Sequence, residues 1–508
     1  MTRYSTRIAA SAACAAAALV LTGCGGGGSA SGGAAELDVA TLTSAQSLDP
    51  ADAIGSALPF FQATYDTLIK RDPDGSYKPM LATQWSYDRD RTHLSMTLRG
   101  GVKFTDGTAF DGAAVKANLD HFKNGGGGGA KYAKSIKNVE VVDPAHVVLE
   151  LSEPDPGLLF YLSDAAGLMA GPAKLKDGSL KTAPVGTGPY VLDRSKTAVG
   201  TRYVYDRRDD YWGEKAKFKT LTISVFDNET AVVNGLKTGQ IDTAVLQDAG
   251  QQQAVASDGR LTRTLFGFDF QGLLLFDRDG LRTPALKRPE VRQAINYALD
   301  RKTMLDKIRQ GRGEVTDQVF GTGTKGYDPG LDAYYPHDPA KAKQLLAQAG
   351  YGSGFTLKLP RVPSMGDALA SSIQTDLGAV GIKVAWDQLD AAGAVQKVYR
   401  DRAYSAMVMN IGQPTVDWLT DQDLVTPGAF NMFGTSDPTV KRLLGQVQTG
   451  DDAAAAAASK ELNKHLVEQA WFAPFYRMKY LLVAGEGVKA VPQSGMGVPS
   501  VYDYAPAS

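Results

Sequence analysis

Apolar and polar positions alternate along the chain in two rhythms. Leu37 to Leu42 alternates loosely and predicts a strand that opens the folded body. Val139 to Val142 and Val147 to Leu151 are valine-rich arms around Asp143-Pro144-Ala145-His146, the composition of a β-hairpin. Leu221 to Val225 and Ile382 to Trp386 also alternate as half-buried strands. Helical spacing appears elsewhere. After Pro289, which suits a first helical position, Val291, Ala294, Ile295, Ala298 and Leu299 share one face. Asp338 is placed to cap a helix that starts at Pro339, carries Leu345, Leu346 and Ala349 on its apolar side, and stops at Gly350. Ala368 to Leu377 leads through Gly378-Ala379-Val380-Gly381 into the strand at Ile382. Asp451 to Ala470 begins Ala-rich and continues with Leu462, Leu466 and Ala470 at helical spacing. Strands and helices are mixed throughout and no fixed-period repeat is visible, so the pattern predicts an α/β protein and disfavours a solenoid or propeller. Gly125 to Gly129, five glycines in a row, reads as a mobile surface loop.

The first segment follows neither rhythm. Arg3 and Arg7 precede an Ala-rich apolar run from Ile8 to Leu21, the layout of a secretory leader and too short for a comfortable membrane span. The run ends in Leu21-Thr22-Gly23-Cys24, which looks like a bacterial lipobox: cleavage of residues 1–23 would leave Cys24 acylated. A plain signal peptide cleaved nearby is the alternative. The glycine- and serine-rich stretch that follows, within residues 24–35, reads as a flexible tether. No later run of 18 or more apolar residues exists, so the body is expected to be held to the membrane by lipid alone.

Composition narrows the function. With 508 residues the chain has room for two to four domains at roughly 150 residues each. The 54 basic residues balance 55 acidic ones and no basic run stands out, so nucleic acid has no electrostatic claim as a partner. Cys14 would leave with the leader, and one remaining cysteine excludes a disulfide framework or a cysteine-built metal site. The histidines (His93, His121, His146, His337, His465) are scattered. There is no G-x-S-x-G, H-E-x-x-H, C-x-x-C or Walker A. Gly321 to Gly326 fits G-x-G-x-x-G but lacks the strand, helix and trailing acid of a dinucleotide site, so it reads as a glycine-rich loop. Asp277 to Gly280 and Asp72 to Gly75 resemble fragments of a calcium loop without the trailing Glu, and read as turns. No enzyme, cofactor or metal is therefore expected. Of the 21 Tyr, 18 Phe and 5 Trp most are expected in the core, and a minority could line a ligand cavity.

Several ordered blocks carry a family resemblance. Tyr65 to Ile69 and Pro79 to Ala82 lead to Trp85, followed by Leu98-Arg99-Gly100-Gly101-Val102-Lys103-Phe104-Thr105-Asp106-Gly107-Thr108-Ala109-Phe110. Gly186-Thr187-Gly188-Pro189-Tyr190 and Asp210-Tyr211-Trp212-Gly213 come next, then the segment Arg288 to Arg301, and the D-P-x-x-A-x-x-L-L-x-x-A-G element from Asp338 to Gly350. Together, over nearly the whole body, they resemble the extracellular solute-binding proteins of ABC transporters, family five, the peptide/nickel-binding type.

The resemblance implies a two-lobed, periplasmic-binding-protein-like α/β fold. Lobe one would comprise residues 36–268 and 476–508, with an extra subdomain at about 60–180, and lobe two residues 269–475. The crossings would fall near Leu265 to Phe276 and Trp471 to Tyr480, forming a hinge. It implies a monomer that captures a peptide-like solute and delivers it to an ABC permease and its ATPase at the membrane. A nickel chelate, an oligosaccharide or a siderophore-like molecule are alternative solutes for the same fold. A lipid-anchored hydrolase, or a sensor or adhesion scaffold that lost transport, are readings of another class. Site residues follow by position. Arg361, in Leu359 to Pro363, stands where dipeptide binders carry the arginine for the peptide carboxylate. The family's Gly-Trp-x-x-Asp stretch for the peptide ammonium corresponds to Asn410 to Leu419, which lacks the Trp after Gly; Asp417 is the nearest acid and Trp418 could stack on the solute. Ser44, Ala45 and Gln46 follow the first strand toward the cleft, and Phe430-Asn431 resembles a second such segment.

Overall fold

A computed structural model describes residues 36–53 and 55–507. The leader expected at 1–23, the lipidation expected at Cys24 and the tether expected to residue 35 lie outside the described residues. Strand β1 (Glu36–Thr41) buries Leu37 and Val39, as the alternation predicts. The chain then builds an inserted subdomain from β2 (Ala82–Tyr87), β3 (His93–Leu98), β4 (Ile136–Asp143) and β5 (His146–Leu151), an antiparallel sheet in the order β2-β3-β5-β4. The β4–β5 hairpin turns at Pro144-Ala145, where the Asp143 carboxylate accepts the Ala145 N–H at 2.7 Å. A helix over Gly112–Asn124, capped by Asp111, leads into the five glycines. Alternate members of that surface run pack inward while Gly126 and Gly128 stay exposed: a Cβ on Gly127 would lie 2.0 Å from the Ala51 carbonyl oxygen. The Gly186-Thr187-Gly188 motif has a similar reason, since a Cβ on Gly186 would lie 2.0 Å from the Thr64 carbonyl oxygen.

The main sheet resumes with β6 (Tyr190–Leu192), β7 (Arg202–Arg207), β8 (Thr220–Val225) and β9 (Thr243–Leu246). Both β8 and β9 run parallel to β1, one on each side, so the carboxyl ends of all three share one edge. The long strand β10 (Leu261–Leu275) then leaves lobe one. Lobe two contributes β11 (Gly313–Val315), β12 (Phe355–Arg361), β13 (Ile382–Gln388) and β14 (Ala406–Gly412), and β15 (Phe472–Gly485) brings the chain back. β12 and β13 are a parallel pair joined through the helix Asp367–Ala379. β10 and β15 pair antiparallel over nearly their whole length. Their lobe-one halves meet β9, and their other halves meet β14 and β11. One sheet therefore runs through both lobes. Its register slips twice in the middle, with an extra residue on β10 between Gly267 and Phe270 and one on β15 between Tyr476 and Pro474. Bulges bend a ladder locally, so the sheet can flex there without repacking either lobe.

The apolar side chains divide accordingly. One large cluster holds the inserted subdomain on lobe one, a smaller one lies under the helix Glu229–Thr238, and two more cover the faces of lobe two's sheet. The helix Pro289–Ala298 adds a polar lock to this packing. Buried Arg292 donates to the carbonyls of Gln469, Ala470 and Leu286. Buried Asn296 donates to the Phe472 carbonyl, and buried Arg301 to the carbonyls of Pro474 and Asn296 and to the Asn296 side chain. Arg301 also lies 2.8 Å from buried Asp317. Arg301→Ala leaves Asp317 as an uncompensated buried charge and the Pro474 carbonyl without its donor. The expected loss is about 3–5 kcal/mol of unfolding free energy, read from urea denaturation.

Candidate functional site

The parallel strands β8, β1 and β9 end at Val225, Thr41 and Leu246, and a cavity of ≈ 200 Å³ opens beside those ends. Ligands of open α/β sheets bind outside the carboxyl ends of parallel strands. Thr41, Leu42 and Thr43 form one wall, with Val245 and Gln247 beside them. Phe60 and the tail segment Gly497 to Pro499 form another. The floor is the hinge itself: Phe268 and Asp269 from β10 and Tyr480 from β15. The Phe268 ring lies between the lobes. A Cβ on Gly412 of lobe two would come within 2.8 Å of it, and one on Gly497 of lobe one within 3.1 Å.

Two carboxylates face this cavity. Glu229 accepts the N–H groups of Gln247 and Asp248, and burial raises it above the usual carboxylate range. Asp269 accepts the Tyr480 hydroxyl at 2.5 Å through Oδ2, while its buried Oδ1 has no hydrogen-bond partner among the described residues. Burial pushes the Asp269 carboxyl up to about 6, and only the Tyr480 hydrogen bond opposes that rise. Among the described lining residues there is no Lys, Arg or His. The surround is apolar and aromatic with a few convergent polar groups, the composition of a small-molecule site.

The lobes also meet away from the hinge. Lys131 of the subdomain pairs with Asp423 of lobe two at 2.5 Å, and the Tyr161 hydroxyl donates to Gln422. The Gln448 side chain donates to the Pro154 carbonyl at 3.0 Å, and Arg91 to the Gly450 carbonyl at 3.3 Å. Between these contacts lies a second cavity of ≈ 330 Å³. The lobes are thus drawn together, the arrangement a solute clasped between them needs.

The residues singled out in the sequence are dispersed by the fold. Ser44 and Gln46 bond to each other on the loop after β1, with Ser44 also donating to the Gly200 carbonyl. Buried Ala45 accepts the Tyr203 hydroxyl. These three sit just past the Thr41–Thr43 wall. Arg361, at the end of β12, pairs with the exposed carboxylate of Asp367. Asp417 is buried and accepts the Gly326 N–H at 2.9 Å, holding the glycine-rich loop of residues 321–326 in place. Trp418 lines the second interlobe cavity. Asn431 is buried, donating to Val425 and Thr435 and accepting from Arg278, and Phe430 packs on the core beside it. No sequence motif marks the lining residues Asp269, Glu229, Phe268 and Tyr480. One local signal exists: Asp269 is the single charge in the run Phe266 to Phe276, where Gln271 is the one other polar side chain.

Two lobes joined by two paired strands, with a cavity at the parallel-strand edge, are the architecture of a solute-binding protein. Residues 76–427 match the bacterial extracellular solute-binding proteins, family 5 (middle region), and the chain belongs to that family. It is a binding protein and not an enzyme. The chain is 31% identical over 381 residues to the glutathione-binding protein GsiB of Salmonella paratyphi A, covering 72% of each. Among solved structures it is similar to the ABC transporter-associated periplasmic binding protein DppA from Helicobacter pylori in complex with the peptide STSA. That match has a TM-score of 0.81 at 20% identity, over 94% of this chain and 99% of that one. It is also similar to the binding protein AgaA from A. tumefacien R10 in complex with agropinic acid, with a TM-score of 0.80 at 25% identity, over 93% and 99%.

The raised carboxyl of Asp269 has a consequence for stability. Its folded value, about 6, exceeds the unfolded value of about 3.9, so the folded state holds the proton more tightly. Folding stability therefore falls as pH rises from about 4 through 6, and the penalty is fully present above 6. Asp269→Asn removes the charge and keeps an acceptor for Tyr480. It is expected to stabilise the solute-free protein at pH 7.5 by on the order of 1–2 kcal/mol and to leave stability nearly unchanged at pH 4, measured by urea denaturation at both.

Proposed function

We propose that this protein captures a peptide-like solute between its lobes and delivers it to the permease and ATPase of an ABC importer, held to the extracytoplasmic face of the membrane by a lipid on Cys24. The observation that carries the reading is the cavity at the carboxyl edge of β8, β1 and β9, whose floor is the hinge connecting the lobes. A solute there touches the element that bends. The glutathione-binding relatives and the peptide complex of DppA support a peptide as cargo. Only contacts stronger in the closed form drive closure, and moving the lobes from about 1:99 to 99:1 closed takes roughly 5.5 kcal/mol of such difference. Buried apolar area and charge-assisted hydrogen bonds at the peptide ends are of that order together.

In this reading Arg361, outside the lining of the hinge cavity, receives the solute's carboxylate from lobe two. Its guanidinium sits at the end of a parallel strand in lobe two, and its partner Asp367 is exposed enough for a solute carboxylate to take its place. Two measurements test the proposal. Native mass spectrometry of the freshly purified full chain is expected to show a retained peptide-sized ligand, and small-angle scattering a smaller radius of gyration when glutathione or short peptides are added. A retained sugar, or scattering unchanged across a peptide panel, would overturn the choice of cargo. Arg361→Ala is expected to weaken binding of a carboxylate-bearing peptide by about 1.5–3 kcal/mol in calorimetry, and unchanged affinity removes Arg361 from the site.

A further inference from the structure

We infer that the hinge cavity takes its solute by a protonated amine, seated against the free Oδ1 of Asp269. The inference rests on the reading of this cavity as the solute site and adds the charge of the group that enters it. Four observations meet here. Asp269 lines the cavity, and its Oδ2 is already engaged by the Tyr480 hydroxyl. Its Oδ1 is buried and has no partner among the described residues, although a native structure rarely leaves such an atom unmet. The other charged group in the lining is also an acid, Glu229, and no described lining residue is a cation. The rings of Phe60, Phe268 and Tyr480 supply walls whose negative faces favour a cation.

The neighbouring charges agree. Arg309 is felt by Glu229 and by Tyr480, and its guanidinium is directed at the Lys479 carbonyl. Asp269 draws no stabilisation from it, and the carboxyl is raised by burial alone. A buried carboxylate with one free oxygen and no counter-ion is costly, and a solute ammonium supplies both the charge and the donor. A neutral or anionic group in the same place would leave the acid uncompensated, so the cavity selects by charge as well as by shape. The position also differs from the acid expected in the segment 410–419. There Asp417 is buried and holds the loop at Gly326.

The test uses the full chain and calorimetry with four probes: trialanine, N-acetyl-trialanine, putrescine, and 1,4-butanediol as the uncharged counterpart of putrescine. Trialanine is expected to bind, with acetylation weakening it ten-fold or more. Asp269→Asn is expected to weaken trialanine by a similar factor and to abolish the difference between the two peptides. Tyr480→Phe, which keeps the carboxylate, preserves that difference and controls for damage to the hinge. Binding should weaken as pH falls through 6, where Asp269 takes up its proton, and the Asn variant should lose that dependence. Peptide binding indifferent to acetylation and to Asp269→Asn overturns the amine site and leaves the peptide reading standing. Asp269-dependent binding of putrescine, with no peptide bound and butanediol inert, supports the amine site and overturns the peptide reading. No binding of either amine at millimolar concentration overturns the amine site.

Discussion

The grip of buried guanidinium groups on the backbone that enters β15 is the constraint from which the architecture follows. Arg292 and Arg301 stand on successive helices and close on the carbonyls of Gln469, Ala470 and Pro474. A buried cation tolerates no loss of acceptors, so the segment that supplies them cannot slide along its neighbour. A one-residue slip in a strand would move every side chain to the opposite face. β15 is the strand on which both lobes build, and fixing its start fixes the register of β10 beside it. Freedom then remains only where the ladder is already interrupted, between Gly267 and Gly272. The close approach of the strands there is tight, since a Cβ on Gly272 would lie 2.6 Å from the Pro474 Cα. Along the β10–β15 pair the register slips only in that stretch.

This lock explains which parts of the chain were legible from sequence. Strands and helices with a buried face declare themselves by spacing: Leu37 and Val39 go inward, as do Val291, Ala294, Ile295 and Ala298. Caps declare themselves too, with Asp338 accepting the Lys341 N–H and Asp451 those of Ala453 and Ala454. The segment Arg288 to Arg301 was recognisable because its polar members are held by what they bind. Arg292, Asn296 and Arg301 hold the backbone carbonyls of residues 469–474, which any sequence there supplies, so that part of the pattern is carried by one side of the contact only, while Arg301 also needs Asp317.

Partners far apart in sequence were not legible, for a related reason. Asp417 stood at a suggestive place, yet its carboxylate meets an N–H 91 residues away. Asn431 joins Val425, Thr435 and Arg278, three groups with no common spacing. The five glycines after Asn124 read as freedom because glycine run length carries no sign of what approaches. In the fold the Ala51 carbonyl lies where a side chain would stand. Asp269 is the inverse case. Its meaning is the absence of a partner, which no local pattern encodes, and only its isolation among Phe266, Phe268, Phe270 and the leucines that follow sets it apart.

That isolation links charge to motion. Asp269 and Phe268 are the two residues at the first bulge, where β10 carries one more residue than β15. The Phe268 ring touches Gly412 in lobe two and Gly497 in lobe one, so it reports on the distance between them. The carboxylate lines the cavity beside it. In an open cleft water solvates Asp269, and a solute ammonium adds little. In a closed one water is gone, the dielectric falls, and the same ammonium is worth several times more. A cationic group at this point therefore binds the closed form better than the open one, which is the sole way a ligand can shift the balance between them. A solute of the same shape without that charge can enter the cleft, but it has no comparable means of holding it shut.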